Sequence, residues 1–99
     1  MLKITRAKYL YDNDLVTGEE FMTPDYDEVT IGTYETEEEA RAVVQSKIKD
    51  DENNIDEKEW YEVREFPIDV ETLKTYVMTM MDIQTDTGAI VYYAELVRA

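Results

Sequence analysis

Cysteine and histidine are both absent from this 99-residue chain, and together these absences remove much of catalytic chemistry. Without cysteine there is no disulfide, no thiolate nucleophile and no cysteine-held metal; without histidine the commonest general base and metal ligand is missing too. Glycine is scarce, and Gly18, Gly32 and Gly88 stand far apart, so neither a phosphate-cradling loop nor a dinucleotide-binding turn can be assembled. No apolar run near the N-terminus is long enough for a membrane span or a signal peptide. The expected location is therefore cytoplasmic, and no cofactor is expected.

Positive charge is scarce as well: ten Lys and Arg stand against 24 Asp and Glu, for a net charge of −14. Free nucleic acid and anionic membranes, which need a basic footprint, are excluded as ligands. The electrostatic complement of such a chain is a basic protein surface. The charge is also segregated: residues 1–8 carry +3, 9–40 carry −11 with no base, 41–49 carry +3, 50–71 carry −8 and 72–99 carry −1. Two acidic blocks thus flank a short basic segment.

That basic segment lies in the strongest local signal of the chain, Thr36 to Lys49. Thr36 and Glu39 form a capping box, Glu37, Glu38 and Glu39 sit at the positive end of the helix dipole, and Lys47 and Lys49 sit at the negative end. Ala40, Val43, Val44 and Ile48 fall on one stripe, so the spacing predicts an amphipathic helix. Arg41, Lys47 and Lys49 are expected to tie this helix to the second acidic block.

Around it the chain reads as strands. Leu2 to Tyr11 is rich in β-branched and aromatic residues, with an apolar phase that changes between Ile4 and Ala7 and so suggests a bulge or twist. Asp12 to Asp27 has turn chemistry and reads as a long loop or an irregular hairpin connection. Glu28 to Tyr34 alternates as a second strand, Asp50 to Asn54 reads as a polar loop, and Trp60 to Phe66 alternates up to Pro67. Thr72 to Gln84 is read as a strand because Thr85 to Gly88 is a hairpin turn and Ala89 to Arg98 a strand. The expectation is a single α+β domain, residues 1–99, with a mainly antiparallel sheet of about five strands in the order β-β-α-β-β-β and one helix packed on one face. The C-terminal hairpin looks apolar on both faces, so either the 12–27 segment, anchored by Phe21 and Met22, or a second copy of the chain must cover the second face.

Chemistry beyond packing finds little support. An EF-hand starting at Asp50 puts Ile55 where glycine is needed and Tyr61 where glutamate is needed, and one starting at Asp12 puts Thr17 at the glycine position. No carboxylate pair is singled out for acid–base work. The expected function is a non-enzymatic protein-binding module or inhibitor, whose acidic surface engages a basic partner through Asp12, Asp14, Asp25, Asp27, Glu37, Glu38, Asp50, Asp51, Glu57 and Glu59. In its sharper form the surface is a nucleic-acid mimic, since alternate strand residues advance about 6.6 Å and so approximate two phosphate steps of about 3.4 Å. The composition is similar to that of small acidic inhibitors of nucleic-acid enzymes made by phages, with no motif to match. The alternative function is a self-associating structural or accessory protein, a homodimer through the C-terminal hairpin at Tyr76, Met78, Met80 and Tyr92.

Overall fold

Leu2–Asn13 (β1) is the spine of the sheet in the computed structural model, which describes residues 1–13, 20–24 and 28–97. One edge of β1 is shared by two strands in tandem. Val29–Tyr34 (β3) pairs with its first half, from Leu2↔Tyr34 to Arg6↔Val29, and Glu20–Pro24 (β2) pairs with its second half, from Tyr9↔Pro24 to Asn13↔Glu20. The other edge of β1 carries Gly88–Leu96 (β6), then Met78–Thr85 (β5), then Tyr61–Glu65 (β4). Every pairing is antiparallel. The α+β class with one main helix on one face of the sheet is therefore as the pattern predicts, and β2 is a strand beyond the expected number, inside the stretch read as a long loop or irregular hairpin connection; its pairing with β1 fits the second of these. Five residues paired in a hairpin are too few to show a periodicity of their own.

Glu37–Asn53 (α1) lies between β3 and β4, at opposite edges of the sheet. Seventeen residues span about 25 Å at a helical rise of about 1.5 Å, about the length of the eight-residue strand β5, so the helix can lie along the strands of this face from their Leu2 end to their Gly88 end. Its start is capped as the sequence implies, with the Thr36 hydroxyl accepting from the Glu39 N–H at 3.2 Å. Its end differs. The polar run 50–54, expected to be a loop, is mostly the last turn of the helix, closed at Asn54. Lys47 and Lys49 consequently sit a turn short of the end, which holds no base. Tertiary contact outweighs composition here, because Asp51 continues the stripe Ala40, Val44, Ile48 and is buried with it.

That stripe packs on Leu2 and Ile4 of β1, Met81 and Ile83 of β5, and Tyr92 and Ala94 of β6. The phase change along β1 involves no bulge in that strand, whose register with β6 is unbroken from Leu2↔Leu96 to Leu10↔Gly88. What changes is the face that is apolar, and the irregularity lies in β3, where Ile31 is the extra residue between Gly32 and Thr30. A second irregularity, at Met80, explains the two-faced look of β5. Met78 pairs with Ala94 before it and Met81 with Tyr92 after it, so the helix-facing phase of β5 switches parity and both Met80 and Met81 enter the core.

The segment 72–77, expected to be part of a strand, is not. Asp69 caps a single turn, Val70–Leu73 (α2), by accepting from the Glu71 N–H and the Thr72 hydroxyl, and Leu73 is buried in the core. The second face of the sheet is partly polar. Ala7, Ala89 and Val91 are buried on it, beside a hydroxyl pair between Tyr9 and Tyr93 at 2.8 Å and a bond from Tyr11 to Gln84 at 2.6 Å. Whether the 12–27 segment covers this face falls outside the described residues, as do the side chains of Phe21 and Met22.

Candidate interaction surface

The polar residues inside the fold are committed to one another. Asp51, buried beneath α1, accepts from the Arg6 guanidinium at 3.0 Å and from the Tyr92 hydroxyl. Burial and the bond to Asp51 push the Tyr92 hydroxyl well above the usual tyrosine pKa. Burial alone would lower the Arg6 pKa, but the Asp51 carboxylate outweighs it and the net shift is upward. On the other face Asp82 is buried and held by Arg64 through two bonds, at 3.0 and 2.7 Å. A cleft of about 220 Å³ opens at the end of α1, lined in part by Arg6, Asp51, Asn54 and Glu59, but its central charges are already paired and leave no free acid–base couple.

Three of the residues expected at a surface are therefore not there. Asp51 is spent on Arg6 and Tyr92 and cannot meet a partner. Met80 and Tyr92, expected in a hairpin interface, have no exposed surface because both face α1. Of that set only Tyr76, 70% exposed, and Met78, half-buried, retain any. Asp14, Asp25 and Asp27 lie outside the described residues, as does the side chain of Asp12.

Some of the remaining acids line one flank of α1. Arg41 binds Glu37, one turn before it, at 2.7 Å and Glu65 of β4 at 2.9 Å, and also donates to the Phe66 carbonyl at 3.1 Å. Desolvation opposes its charge, yet the two carboxylates hold its pKa above the usual arginine value. At the other end of the helix Tyr61 donates to Glu52 at 3.2 Å, and that bond raises the pKa of its exposed hydroxyl. These contacts lay β4 antiparallel along α1, and those of Arg41 join the two acidic blocks. Glu37 and Glu65 lie at one end and Glu52 at the other, while Glu62, paired with Gln84, points to the opposite face of the sheet beside Arg64. Glu38 is exposed on the first turn of the helix and Glu57 on the loop that precedes β4, while half-buried Glu59 accepts from the Thr87 hydroxyl at 2.8 Å. Asp50 is exposed, but at 100° per residue it falls on the opposite flank of the helix, with Glu39.

Lys47 and Lys49, expected to reach the second acidic block, are exposed and make no such contact among the described residues; Arg41 alone does so. No three carboxylates among the described residues converge as metal ligands would, and no helix among them is long and apolar enough to cross a membrane. No known protein family matches the chain, and no curated protein or solved structure matches it. Sequence reasoning missed the buried role of Asp51, although its position, three residues after Ile48 and seven after Val44, signals it. It also missed Arg6, for which the sequence carries no signal, since its partner lies 45 residues away.

Proposed function

We propose that this chain is a non-enzymatic binding module whose acidic flank, formed by the first turn of α1, the 56–59 loop and β4, engages a basic protein surface. The observation that carries this reading is the joining of the two acidic blocks by Arg41, which holds Glu37 of the first beside Glu65 of the second. The joined flank presents Glu37, Glu38, Glu57 and Glu65, with few free bases nearby. A flank of one sign on rigid elements steers an oppositely charged partner and fixes its orientation. The class of partner it suits is a nucleic-acid-binding protein, whose basic groove otherwise meets rows of phosphates, and the module acts there as a mimic that competes with nucleic acid.

Affinity capture from the native host, with elution by a salt gradient, tests this. A nucleic-acid-binding protein released at moderate ionic strength is the expected result, because exposed charge pairs are screened beyond about 8 Å in physiological salt. A variant with Glu37, Glu38, Glu57 and Glu65 all changed to Lys should capture nothing. Capture that survives high salt, or survives this reversal, sinks the electrostatic reading.

A further inference from the structure

The outer edge of β4 is open: among the described residues the strand pairs with β5 and with no other strand. The Phe66 N–H donates to the Met80 carbonyl, on the β5 side, at 3.0 Å. Antiparallel ladders alternate, so Glu62 and Arg64 also direct their main-chain groups at β5, while those of Tyr61, Val63 and Glu65 face away from the sheet. An edge of this kind is a template for another strand unless something blunts it. All five residues of β4 are exposed, and Trp60 beside it is 56% exposed.

We propose that a second copy of this chain adds its own β4 to this edge, antiparallel, about a two-fold axis at Val63. Four features of the strand fit that register. The outward-facing residues Tyr61, Val63 and Glu65 meet Glu65, Val63 and Tyr61 of the other copy, which forms about six main-chain hydrogen bonds. Glu62 of each copy stands opposite Arg64 of the other, a square of alternating charges at the closely spaced positions where cross-strand side chains interact most. Asp82 holds Arg64 through Nε and Nη2 only, so Nη1 remains for the incoming carboxylate. Trp60 stands opposite Phe66, and Pro67, lacking an N–H, ends the ladder just beyond.

Neighbouring registers fail on the same residues. Centring the axis on Glu62 sets two glutamates face to face, and centring it on Arg64 does the same with two arginines. An axis between residues sets an outward-facing group against an inward-facing one. The charges on β4 thus favour one pairing of like strands rather than simply guarding the edge. Each copy carries −14, so repulsion across the new dimer is long-range while the Glu62–Arg64 contacts are short-range. Salt should therefore strengthen association up to moderate ionic strength, the reverse of its effect on a basic partner.

Sedimentation equilibrium of the full chain, across concentration and salt, is the test. The expected result is a mass that rises from 11.7 kDa toward twice that value, and rises further as salt is added. Glu62→Arg should lower the association constant by about tenfold, because two attractive pairs become repulsive. This site is exposed, so the variant should melt with the wild type. Mixing Glu62→Arg with Arg64→Glu should restore a mixed dimer, since each variant then faces its complement. A mass that stays at one chain up to about 1 mM in moderate salt overturns the proposal. So does a Glu62→Arg variant that associates as strongly as the wild type, whether or not the Arg64 variant folds. Neither result bears on capture of a basic partner.

Discussion

The hydroxyl of Tyr92, on the middle of the helix-covered face, donates to the carboxylate of Asp51, near the end of α1. The same carboxylate takes Arg6 from β1 at 3.0 Å. One side chain thus fastens the end of the helix to two neighbouring strands, and the pair Arg6↔Tyr92 is itself in register across the sheet. In a chain with so large an excess of acid, Asp51, like Asp82 on the other face, is used as internal structure, where an arginine neutralises its charge.

Removing that carboxylate should be costly in a way that removing its neighbour is not. Asp51→Ala leaves a guanidinium and a hydroxyl under the helix without their acceptor, which costs about 3–5 kcal/mol. Asp50→Ala, at an exposed position, should change stability by less than about 0.5 kcal/mol. Urea unfolding of both variants measures the difference. Equal midpoints would mean that the triad contributes nothing.

Two glycines should respond differently to alanine. A Cβ on Gly88 would lie 2.0 Å from the Tyr9 carbonyl oxygen, which is main chain in the central β1–β6 pair and cannot retreat alone. Gly88→Ala should therefore cost about 1–3 kcal/mol. A Cβ on Gly32 would come no nearer than 2.9 Å, and what it meets is the Tyr34 hydroxyl, the far end of a side chain that can swing aside. Thermal melts should show a large loss for the first variant and a small one for the second.

What could be read in the sequence and what could not divide along physical lines. Thr36, Glu39 and the stripe Ala40, Val44, Ile48 act within a few residues of one another, so the start and the buried face of α1 were legible. The end of the helix was not, because Asp51 stays helical through partners at positions 6 and 92. The alternation rule misread β5 for a different reason: the bulge at Met80 inverts parity within the strand, and a pattern that is one-sided in space looks two-sided on paper. For the candidate surface the excess of acid was plain in the composition. That α1 and β4 bring the two blocks together depends on Arg41 reaching Glu65, 24 residues away.

Arg41 holds Glu37 and Glu65 side by side, and without it the two carboxylates repel across the gap. Arg41→Ala should cost about 1–2 kcal/mol, since both pairs are charge-assisted hydrogen bonds to a mostly buried guanidinium. Arg41→Lys should recover part of this, because a single ammonium cannot span both carboxylates and the Phe66 carbonyl as the fork does. The cost of the alanine variant should shrink as salt is raised. A cost independent of salt would show that packing of the arginine stem, rather than its charge, holds the flank together.

Alkaline pH should unfold the protein through its tyrosines. Burial, joined by the bond to Asp51 for Tyr92 and to Tyr9 for Tyr93, raises both hydroxyls well above the value of about 10 that they have in the unfolded chain. Below pH 10 both states keep these protons and stability does not depend on them. Above it the unfolded chain releases protons that the folded one retains, so stability falls as pH rises, by about 1.4 kcal/mol per pH unit for each such tyrosine. The loss continues until the folded hydroxyls ionise in their turn. Denaturation midpoints measured from pH 8 to 11 should therefore be flat and then drop, and the drop should be shallower in Tyr93→Phe, which removes one of the two groups. If the curve keeps its full slope in that variant, Tyr93 is not one of the groups responsible.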